Sequence, residues 1–578
     1  MGLTQACSSP TQPEEMEKPI VYQVFTRLFG NDREINQHDG DLAANGCGKM
    51  ADFTPKALEE IRRLGATHIW YTGIIEHATQ TDYSSFGIAR DHHAIVKGKA
   101  GSAYAIKDYY DVDPDLAISV PARMAEFEAL VQRTHDAGLK VIIDFVPNHV
   151  ARQYHSDACP EGIEDLGAAD DTTQHFSPEN NFYYFPGEPF RADFNLQQDE
   201  AQPYQEQPAR ATGNDVFSAF ANHNDWYETV KLNYGVDYLD GRSTHFDPVP
   251  STWQKMTDIL RFWASKGVDG FRCDMAEMVP AEFWGWAIPR VKQEYPRIIF
   301  IAEIYGPDAY RRYIHEGGFD YLYDKVGLYD TLRAVTVGYA NAESITQCWR
   351  AVDDIRDHML SFLENHDEQR IASDFFAGSP EYGRAPMLVA ATISRGPVMV
   401  YFGQELGERG MDDEGFSGRD GRTTIFDYWT VDAVNRWRNK GKFDGHRLTK
   451  QEIEIQKFYT TILNLCSKEK AIYEGDFYDL MYANPQSNRF NPHRQYAFLR
   501  RAGKEVLFIV ANFDKEDAVL DVQIPSHVFE LYSLKPASKI RATNLLTGDI
   551  VQTSFTDESP MHVVVPALNG IVLKIRTR

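Results

Sequence analysis

From Pro19 onward, short continuous apolar runs alternate along the chain with amphipathic stretches of helical spacing. A strand that is buried on both faces of a parallel sheet is apolar at every position, whereas a strand with one solvated face alternates. The continuous runs therefore predict buried parallel strands. There are about eight of them, at residues 20–25, 67–72, 141–145, 270–274, 298–304, 319–323, 359–365 and 398–402.

The stretches between these runs have the spacing of helices that bury one face. Residues 121–137 place Met124, Phe127, Leu130 and Val131 on one side, and Gly138 follows as a typical helix end. Residues 251–266 repeat the pattern with Trp and aliphatic side chains. Alternation of strand and helix, repeated eight times, predicts an α/β fold of the (β/α)₈ TIM-barrel type. The loops after the strands' C-terminal ends would then hold the active site.

Two segments break the alternation and predict further domains. Residues 151–234 are rich in Asp, Asn, Gln, Pro and aromatics, and are too long for a loop inside a compact domain. We predict an inserted domain there, after the third strand, within a barrel formed by residues 19–150 and 235–465. Short strand candidates at 496–499, 506–511, 518–524, 562–565 and 570–575 predict a C-terminal β-sandwich over residues 466–578. Residues 1–18 are predicted to be a flexible tail.

The net charge and the composition indicate which kinds of ligand the protein binds. The 578-residue chain has 59 Lys plus Arg against 84 Asp plus Glu, a formal net charge of −25. This balance argues against nucleic acid as a partner, because phosphates require clustered cations. A neutral, hydroxyl-rich ligand fits better, although the charge also serves solubility alone. The six cysteines have no zinc or redox spacing, and we expect mostly free thiols.

The N-terminus suggests a location for the protein. The stretch Leu3-Thr4-Gln5-Ala6-Cys7-Ser8-Ser9 is similar to the end of a bacterial lipoprotein signal with Cys7 as the lipidated residue, without the charged and apolar regions that precede such a site. We therefore expect a periplasmic or outer-membrane lipoprotein that meets the membrane only through this lipid anchor. The alternative is an unstructured cytoplasmic tail. No apolar run is long enough to span a bilayer.

Acidic residues stand at the ends of several predicted strands. Asp144 ends the third, Asp274 the fourth and Glu303 the fifth, and Asp367 follows the seventh. Any one of them alone could equally be a cap or a salt-bridge partner. Together they lie where barrel enzymes place their chemistry, so we expect them to meet at one face.

The motifs that contain these acids resemble the α-amylase family of glycoside hydrolases (family 13), among them secreted bacterial lipoproteins. The resemblance covers the barrel, the inserted domain and the C-terminal domain, and the motifs occur in the family order. They read DFVPNH from Asp144, GFRCD to Asp274, IAEIY around Glu303 and ENHD to Asp367, supported by VYQVF from Val21, YAIKDY from Tyr104 and YFGQE from Tyr401.

The resemblance implies a retaining hydrolase of α-glucans such as starch and maltooligosaccharides, with Asp274, Glu303 and Asp367 as catalytic carboxylates. Such a mechanism needs an ionised nucleophile and a protonated acid close together. Arg272 and Asp274, two apart on a strand, share a face, and the guanidinium would keep Asp274 ionised as the nucleophile. The apolar neighbours Ile301, Ala302 and Ile304 would favour a protonated Glu303 as general acid.

The remaining site residues follow from the resemblance. Asp367 would bind sugar hydroxyls, His149 and His366 would contact the sugar at the cleaved position, and Tyr104 would stack on it. Asp144 would be a structural residue beside the site, and so would Asn148, which in the family often ligates calcium.

No organic cofactor is expected. A structural calcium ion at Asn148 is one alternative, and a site without bound metal is the other. Calcium requires several oxygen ligands, and the sequence identifies only Asn148. The acidic loop with Asn31, Asp32, Asp39 and Asp41 is a second, weaker candidate.

One departure from the family leaves the specificity open. Many relatives follow the nucleophile motif with Lys-His, where this chain has Glu277-Met278. Endo-amylase specificity is therefore in doubt. A transglycosylase or a trehalose- or sucrose-type enzyme remains an alternative, and a non-catalytic glucan-binding relative is disfavoured because all three carboxylates are present.

Overall fold

In the computed structural model, which describes residues 18–576, eight parallel strands form a closed barrel. Each strand pairs with its sequence neighbour, and the eighth pairs with the first to close the ring. The predicted (β/α)₈ barrel is confirmed. Barrel strands 1 to 8 are Ile20–Phe25, His68–Thr72, Lys140–Phe145, Gly270–Cys273, Ile299–Ala302, Tyr321–Tyr323, Met359–Phe362 and Val398–Tyr401.

The helices between the strands bury the faces that their apolar spacing predicts. The helix Arg123–Asp136 buries Phe127, Leu130 and Val131, and Gly138 follows it with a φ of 73°. The helix Lys450–Lys468 begins with a capping box between Thr449 and Glu452. The other helices of six or more residues are Pro55–Leu64, Ser251–Ser265, Ala281–Glu294, Tyr310–His315, Asp330–Val337, Ile345–Ala351, Arg384–Thr392, Asp432–Arg438 and Ser526–Tyr532, and the shorter ones are Thr26–Phe29, Leu42–Asn45 and Lys470–Tyr473.

Two long segments, inserted after barrel strands 2 and 3, lie above the C-terminal ends of the barrel strands. After barrel strand 2, Ile75–His77 pairs antiparallel with Ile106–Val112 in a hairpin. Between barrel strand 3 and the helix Ser251–Ser265, the regular elements are strands of two or three residues joined by loops. They are His149–Ala151, Tyr184–Phe185, Arg191–Ala192, Ala209–Arg210, Phe220–Ala221, Thr229–Lys231, Val236–Asp237 and Ser243–Thr244.

The C-terminal part contains the predicted β domain. A six-stranded antiparallel sheet runs in the order Asp476–Asp479, Gln495–Ala502, Glu505–Asn512, Asn569–Arg576, Ala537–Asn544 and Ile550–Phe555. A second sheet pairs Ala518–Val522 with Met561–Val565. Three of these strands were not predicted. Ala537–Asn544, for example, buries only two of its eight residues and has no apolar pattern to detect.

The barrel interior below the strand ends is filled by side chains. Trp70, Tyr323, Phe362 and Met399 belong to one buried cluster there. This packing closes the barrel from below, so a ligand can reach the strand ends only from the side of the loops. No helix within residues 18–576 combines the length and apolarity needed to cross a membrane. Cys7 lies outside the described residues, and the five cysteines within them are free.

Candidate active site

The strand-end carboxylates converge on one cavity. A space of about 470 Å³ opens above the barrel and is lined by Asp274, Glu303 and Asp367. Predicted contact residues Tyr104, His149 and His366 line it too. Residues from five different barrel strands or the loops after them therefore meet at one place, as the sequence predicts.

Arg272 is the charged centre of this arrangement. Its Nη1 donates to Asp274 Oδ1 at 2.7 Å, and its Nη2 lies 2.8 Å from Glu303 Oε2. The Nη1 atom also contacts Asp144 Oδ1 at 3.3 Å. The guanidinium is 1% exposed. One buried cation thus contacts three carboxylates, and it fixes the positions of Asp274 and Glu303 relative to each other.

Burial opposes the expected effect of Arg272 on Asp274. Arg272 contacts Asp274 and Glu303 at nearly equal distances, so its position alone does not single out Asp274. Burial raises the pKa of Asp274 well above its ordinary value, and the opposing effect of Arg272 is smaller. The carboxylates of Glu303, Asp144 and Asp367 add to the rise.

Glu303 has polar surroundings, contrary to the apolar setting expected from its neighbours. Its Oε2 accepts a hydrogen bond from the Met275 amide at 2.8 Å, and its Oε1 accepts one from the Tyr305 hydroxyl at 2.6 Å. Met275 reaches this position with a φ of 43°, a strained conformation for a residue with a side chain. The backbone immediately after Asp274 is therefore shaped to hold Glu303.

Tyr305 is a site residue that the sequence reasoning missed. It lines the cavity and stands two positions after Glu303. The same two-residue spacing that placed Arg272 beside Asp274 could have found it. Its amide donates to Glu277 Oε2 at 3.2 Å, and the Gly306 amide donates to the same oxygen at 2.9 Å. Glu277, the departure from the family, therefore binds the loop that carries Tyr305.

The cavity's second side holds Asp367, His366 and Tyr104. The rings of Tyr104 and His366 stack with centroids 5.0 Å apart. In the amide orientation present, Gln23 Nε2 donates to His366 Nδ1 at 2.8 Å, which places the ring proton on Nε2, 3.1 Å from Asp367 Oδ2. His366 is buried, and burial together with Arg272 holds its pKa well below the ordinary value. A neutral His366 thus presents its N–H to Asp367.

Asp367 is the most accessible of the three carboxylates. Its side chain is 33% exposed toward the cavity. The partial desolvation of the cavity raises the pKa of Asp367 to about 7, and the charge of Glu303 contributes to the rise. Asp144 lies deeper, where it accepts hydrogen bonds from Trp70 at 2.8 Å and Tyr104 at 3.3 Å, and burial raises its pKa to about 6. Asp144 thus contacts Trp70, Tyr104 and Arg272, and its role as a structural residue stays a prediction.

The third side of the cavity comes from the segment after barrel strand 3. The rings of His149 and Trp226 lie 5.3 Å apart, and both line the cavity. Burial lowers the pKa of His149 to about 3, so the ring is neutral and offers hydrogen bonds rather than charge. Phe182, Tyr183 and Tyr184, in the same inserted segment, are buried and pack within it. Trp226 is accessible to a ligand.

The residues around Asn148 do not fit a calcium ion. Its side-chain oxygen accepts a hydrogen bond from the Lys231 ammonium. The same ammonium lies 2.6 Å from Asp215 Oδ1 and 3.3 Å from the Met278 carbonyl oxygen. A lysine cation thus faces the oxygens that would surround a metal. In the acidic loop, Asn31 and Asp41 hydrogen-bond to the backbone and Asp32 pairs with Arg438, whereas Asp39 lies beside His38 and Glu414, so the four predicted residues do not face one another.

Comparisons with known proteins place the chain in a family. The family described as "Alpha amylase, catalytic domain" matches residues 23–451. The α-amylase MalA of Haloarcula japonica is 26% identical over 415 residues, which is 70% of this chain; the chain spans only 46% of that relative's length.

Two solved structures share the fold. A maltogenic α-amylase from Thermotoga neapolitana has a TM-score of 0.60 at 21% identity, with 96% of this chain and 98% of that chain covered. An α-amylase from Geobacillus thermoleovorans in complex with acarbose has a TM-score of 0.61 at 19% identity, with the same coverage.

Proposed function

This chain belongs to the α-amylase family, and we propose that it is a retaining glycoside hydrolase that acts on α-glucans such as starch and maltooligosaccharides. The observation that carries the proposal is Arg272, whose guanidinium joins Asp274 and Glu303 at the wall of an open cavity. Relatives whose names refer to α-amylase, neopullulanase and cyclomaltodextrin glucanotransferase support the substrate class.

In the proposed first step, the Asp274 carboxylate attacks the anomeric carbon while Glu303 gives a proton to the leaving oxygen. A covalent glycosyl-enzyme results. In the second step, Glu303 takes a proton from water, which attacks the same carbon and releases Asp274. Two inversions give net retention.

The remaining side chains would bind the sugar at the cleaved position. Asp367 is the accessible carboxylate for the hydroxyl groups, and the neutral rings of His149 and His366 offer hydrogen bonds from both sides. The stacked rings of Tyr104 and His366 provide an apolar face. Trp226 and Phe416, on the cavity wall, would contact further sugar units. The Tyr305 hydroxyl holds Glu303 in place for the proton transfer.

The stereochemistry and the products of one reaction test this proposal. Proton NMR during hydrolysis of maltoheptaose should show the α-anomer first, and Asp274→Asn should reduce the rate by several orders of magnitude. A first-formed β-anomer, or a nearly normal rate in the variant, would overturn the mechanism. Products longer than the substrate would identify a transglycosylase, and cleavage of trehalose or sucrose alone would redirect the substrate assignment. Binding without turnover would mean a non-catalytic glucan-binding protein.

A further inference from the structure

Outside the active-site cavity, three acidic side chains meet in the buried hairpin that follows barrel strand 2. Glu76 lies on one strand opposite Asp108 on the other, and Asp111 follows three residues later. One carboxylate oxygen from each lies within 4.8 Å of the other two. Glu76 is 1% exposed, Asp108 is 0% and Asp111 is 5%.

Glu76 is the unusual member of this acidic cluster. Both of its carboxylate oxygens are buried and have no hydrogen-bond partner among the described residues. Buried polar atoms in native proteins nearly always have a partner. A buried carboxylate that lies beside two other carboxylates, with neither oxygen hydrogen-bonded, has the surroundings of a cation ligand.

The other two members are well anchored, so the cluster has a defined shape. Asp108 accepts hydrogen bonds from the Ser156 hydroxyl at 2.6 Å and from the amides of Tyr110 and Ala158 at 2.8 Å and 2.9 Å. Asp111 accepts a hydrogen bond from the Val112 amide at 2.7 Å and forms an ion pair with Arg123. Each of these carboxylates retains unused lone pairs.

The nearby cations do not balance the cluster. Arg123 contacts Asp111 and neutralises one of the three charges. The Lys107 ammonium is the other cation that acts on Glu76, but it is 3.0 Å from Asp91, which it neutralises. Two negative charges therefore remain without a partner at a site with almost no contact with water. Unpaired charges are unfavourable away from water, so either protons or a cation must compensate these two.

We propose that Glu76, Asp108 and Asp111 bind a hard divalent cation, with Ca²⁺ as the best candidate. All three ligands are carboxylates, which suit Ca²⁺ and Mg²⁺, and no His or Cys is present to favour zinc or copper. Three carboxylates on an irregular hairpin satisfy the flexible coordination of Ca²⁺ more readily than the strict octahedron of Mg²⁺. This site is separate from Asn148, where Lys231 supplies the cation.

The cation would stabilise the wall of the active-site cavity. The strand that carries Asp108 and Asp111 begins two residues after Tyr104, and Asp108 also holds Ser156 and Ala158 in the segment after His149. A bound ion would therefore fix the hairpin and this segment together. The proposal does not depend on the catalytic roles, because binding and stability can be measured without substrate.

Calorimetric titration and thermal unfolding of the full chain, freed of metal by chelation, test the proposal with CaCl₂ and MgCl₂ as probes. Ca²⁺ should raise the unfolding temperature in a saturable manner, and Glu76→Gln should lose this rise and bind one ion fewer per chain. With chelator present, Glu76→Gln should be at least as stable as the natural chain, because it removes a buried charge.

The matched control is Glu414→Gln. Glu414 belongs to a second group of this kind, with His38 and Asp39, in which His38 and Asp39 are exposed and Glu414 is half-buried. This variant should keep the full calcium effect. Identical ion content and identical calcium response in Glu76→Gln and the natural chain would overturn the proposal, and so would a natural chain that binds no ion after dialysis against millimolar Ca²⁺. If Glu76→Gln does not fold, Asp111→Asn and the ion content of the natural chain give the answer.

Discussion

Asp274 and Glu303 contact the same guanidinium, although the proposed mechanism gives the two acids opposite roles. Arg272 contacts them at 2.7 Å and 2.8 Å. This cation therefore does not distinguish them, and the two acids differ in their other contacts. Glu303 also receives the Tyr305 hydroxyl and the Met275 amide, whereas Asp274 lies 5% exposed beside Asp144 and Asp367.

The first residue-scale prediction concerns the acid limb of the pH profile. The pKa of Asp274 is raised, so its protonated, inactive form persists to higher pH than in an ordinary Asp, whose pKa is about 3.9. Activity should be present above the raised pKa and lost as the pH falls through it. The profile of kcat/KM on a maltooligosaccharide should therefore have its acid midpoint clearly above pH ~4.

The acid midpoint of the Asp367→Asn variant can be compared with that of the natural chain. The substitution removes one of the like charges that raise the pKa of Asp274, so the acid midpoint of the variant's residual activity should move to lower pH. An unchanged midpoint, or natural-chain activity that persists undiminished to pH ~3, would contradict the assignment of this limb to Asp274. Because the acids interact, each midpoint belongs to the group of carboxylates rather than to one residue.

The second residue-scale prediction separates the two chemical steps. Glu303→Gln should nearly abolish hydrolysis of starch oligomers, while activated aryl glycosides, whose leaving groups need little protonation, should still form the intermediate. Azide should then restore turnover of the aryl glycoside, because it attacks without a general base. Tyr305→Phe is the matched variant, since it removes one hydrogen bond to Glu303 and keeps the proton donor. Normal hydrolysis of oligomers by Glu303→Gln would assign the proton to another residue.

At the scale of elements, Lys231 links the inserted segment to the barrel. It ends the strand Thr229–Lys231, which pairs with His149–Ala151 and places Lys231 opposite His149. Its ammonium contacts Asn148, Asp215 and the Met278 carbonyl, so it joins the ends of barrel strands 3 and 4 to the segment between them. Gly213 is part of the same junction, where a Cβ atom would lie 2.9 Å from His149 Cβ.

Lys231→Met should weaken this junction. The change leaves Asn148 and Asp215 without their cation, and a buried group that loses its partner costs about 1–3 kcal/mol. We expect a lower free energy of unfolding in urea and a higher KM, because His149 loses its support. Lys470→Met, at a lysine whose side chain is 55% exposed and whose partner Glu474 is 37% exposed, should change stability by less than about 0.5 kcal/mol. Equal stability of the two variants would show that the Lys231 contacts contribute little.

At the scale of the molecule, the barrel face with the active-site cavity is enclosed by segments from distant parts of the sequence. Lys97 stands in the hairpin after barrel strand 2, Trp226 in the segment after strand 3, and Phe416 and Arg422 after strand 8. On the proposed function, glucans would bind at this face. Which glucans reach it depends on the cellular compartment of the protein.

We predict that the protein is tethered outside the cytoplasm through Cys7. The observation is the lipobox-like Ala6-Cys7-Ser8 followed by a polar, Pro-containing stretch before the first barrel strand. Native protein should fractionate with membranes and shift in mobility when lipoprotein processing is inhibited by globomycin. Cys7→Ser should release it, whereas Cys159→Ser should not. Full-length native protein in the cytosolic fraction would refute the anchor.

The eight barrel strands and the acids at their ends follow from the sequence alone. Buried parallel strands must be apolar along their whole length, and the order of strands in a barrel brings their C-terminal ends to one face, so Asp274, Glu303 and Asp367 could be placed together without coordinates. The C-terminal strand Ala537–Asn544 escaped prediction because its few buried positions leave no pattern.

Only the tertiary structure decided how these side chains meet. That Arg272 is shared between Asp274 and Glu303, that Trp226 enters the cavity while Tyr183 packs away from it, and that Lys231 takes the cation position at Asn148 are contacts between residues far apart in the chain. Periodicity reports which face of an element is buried, but not which charged group of another element lies opposite. The raised pKa of Asp274 depends on that partner set and on burial, and both exist only once the barrel and its loops have closed around the site.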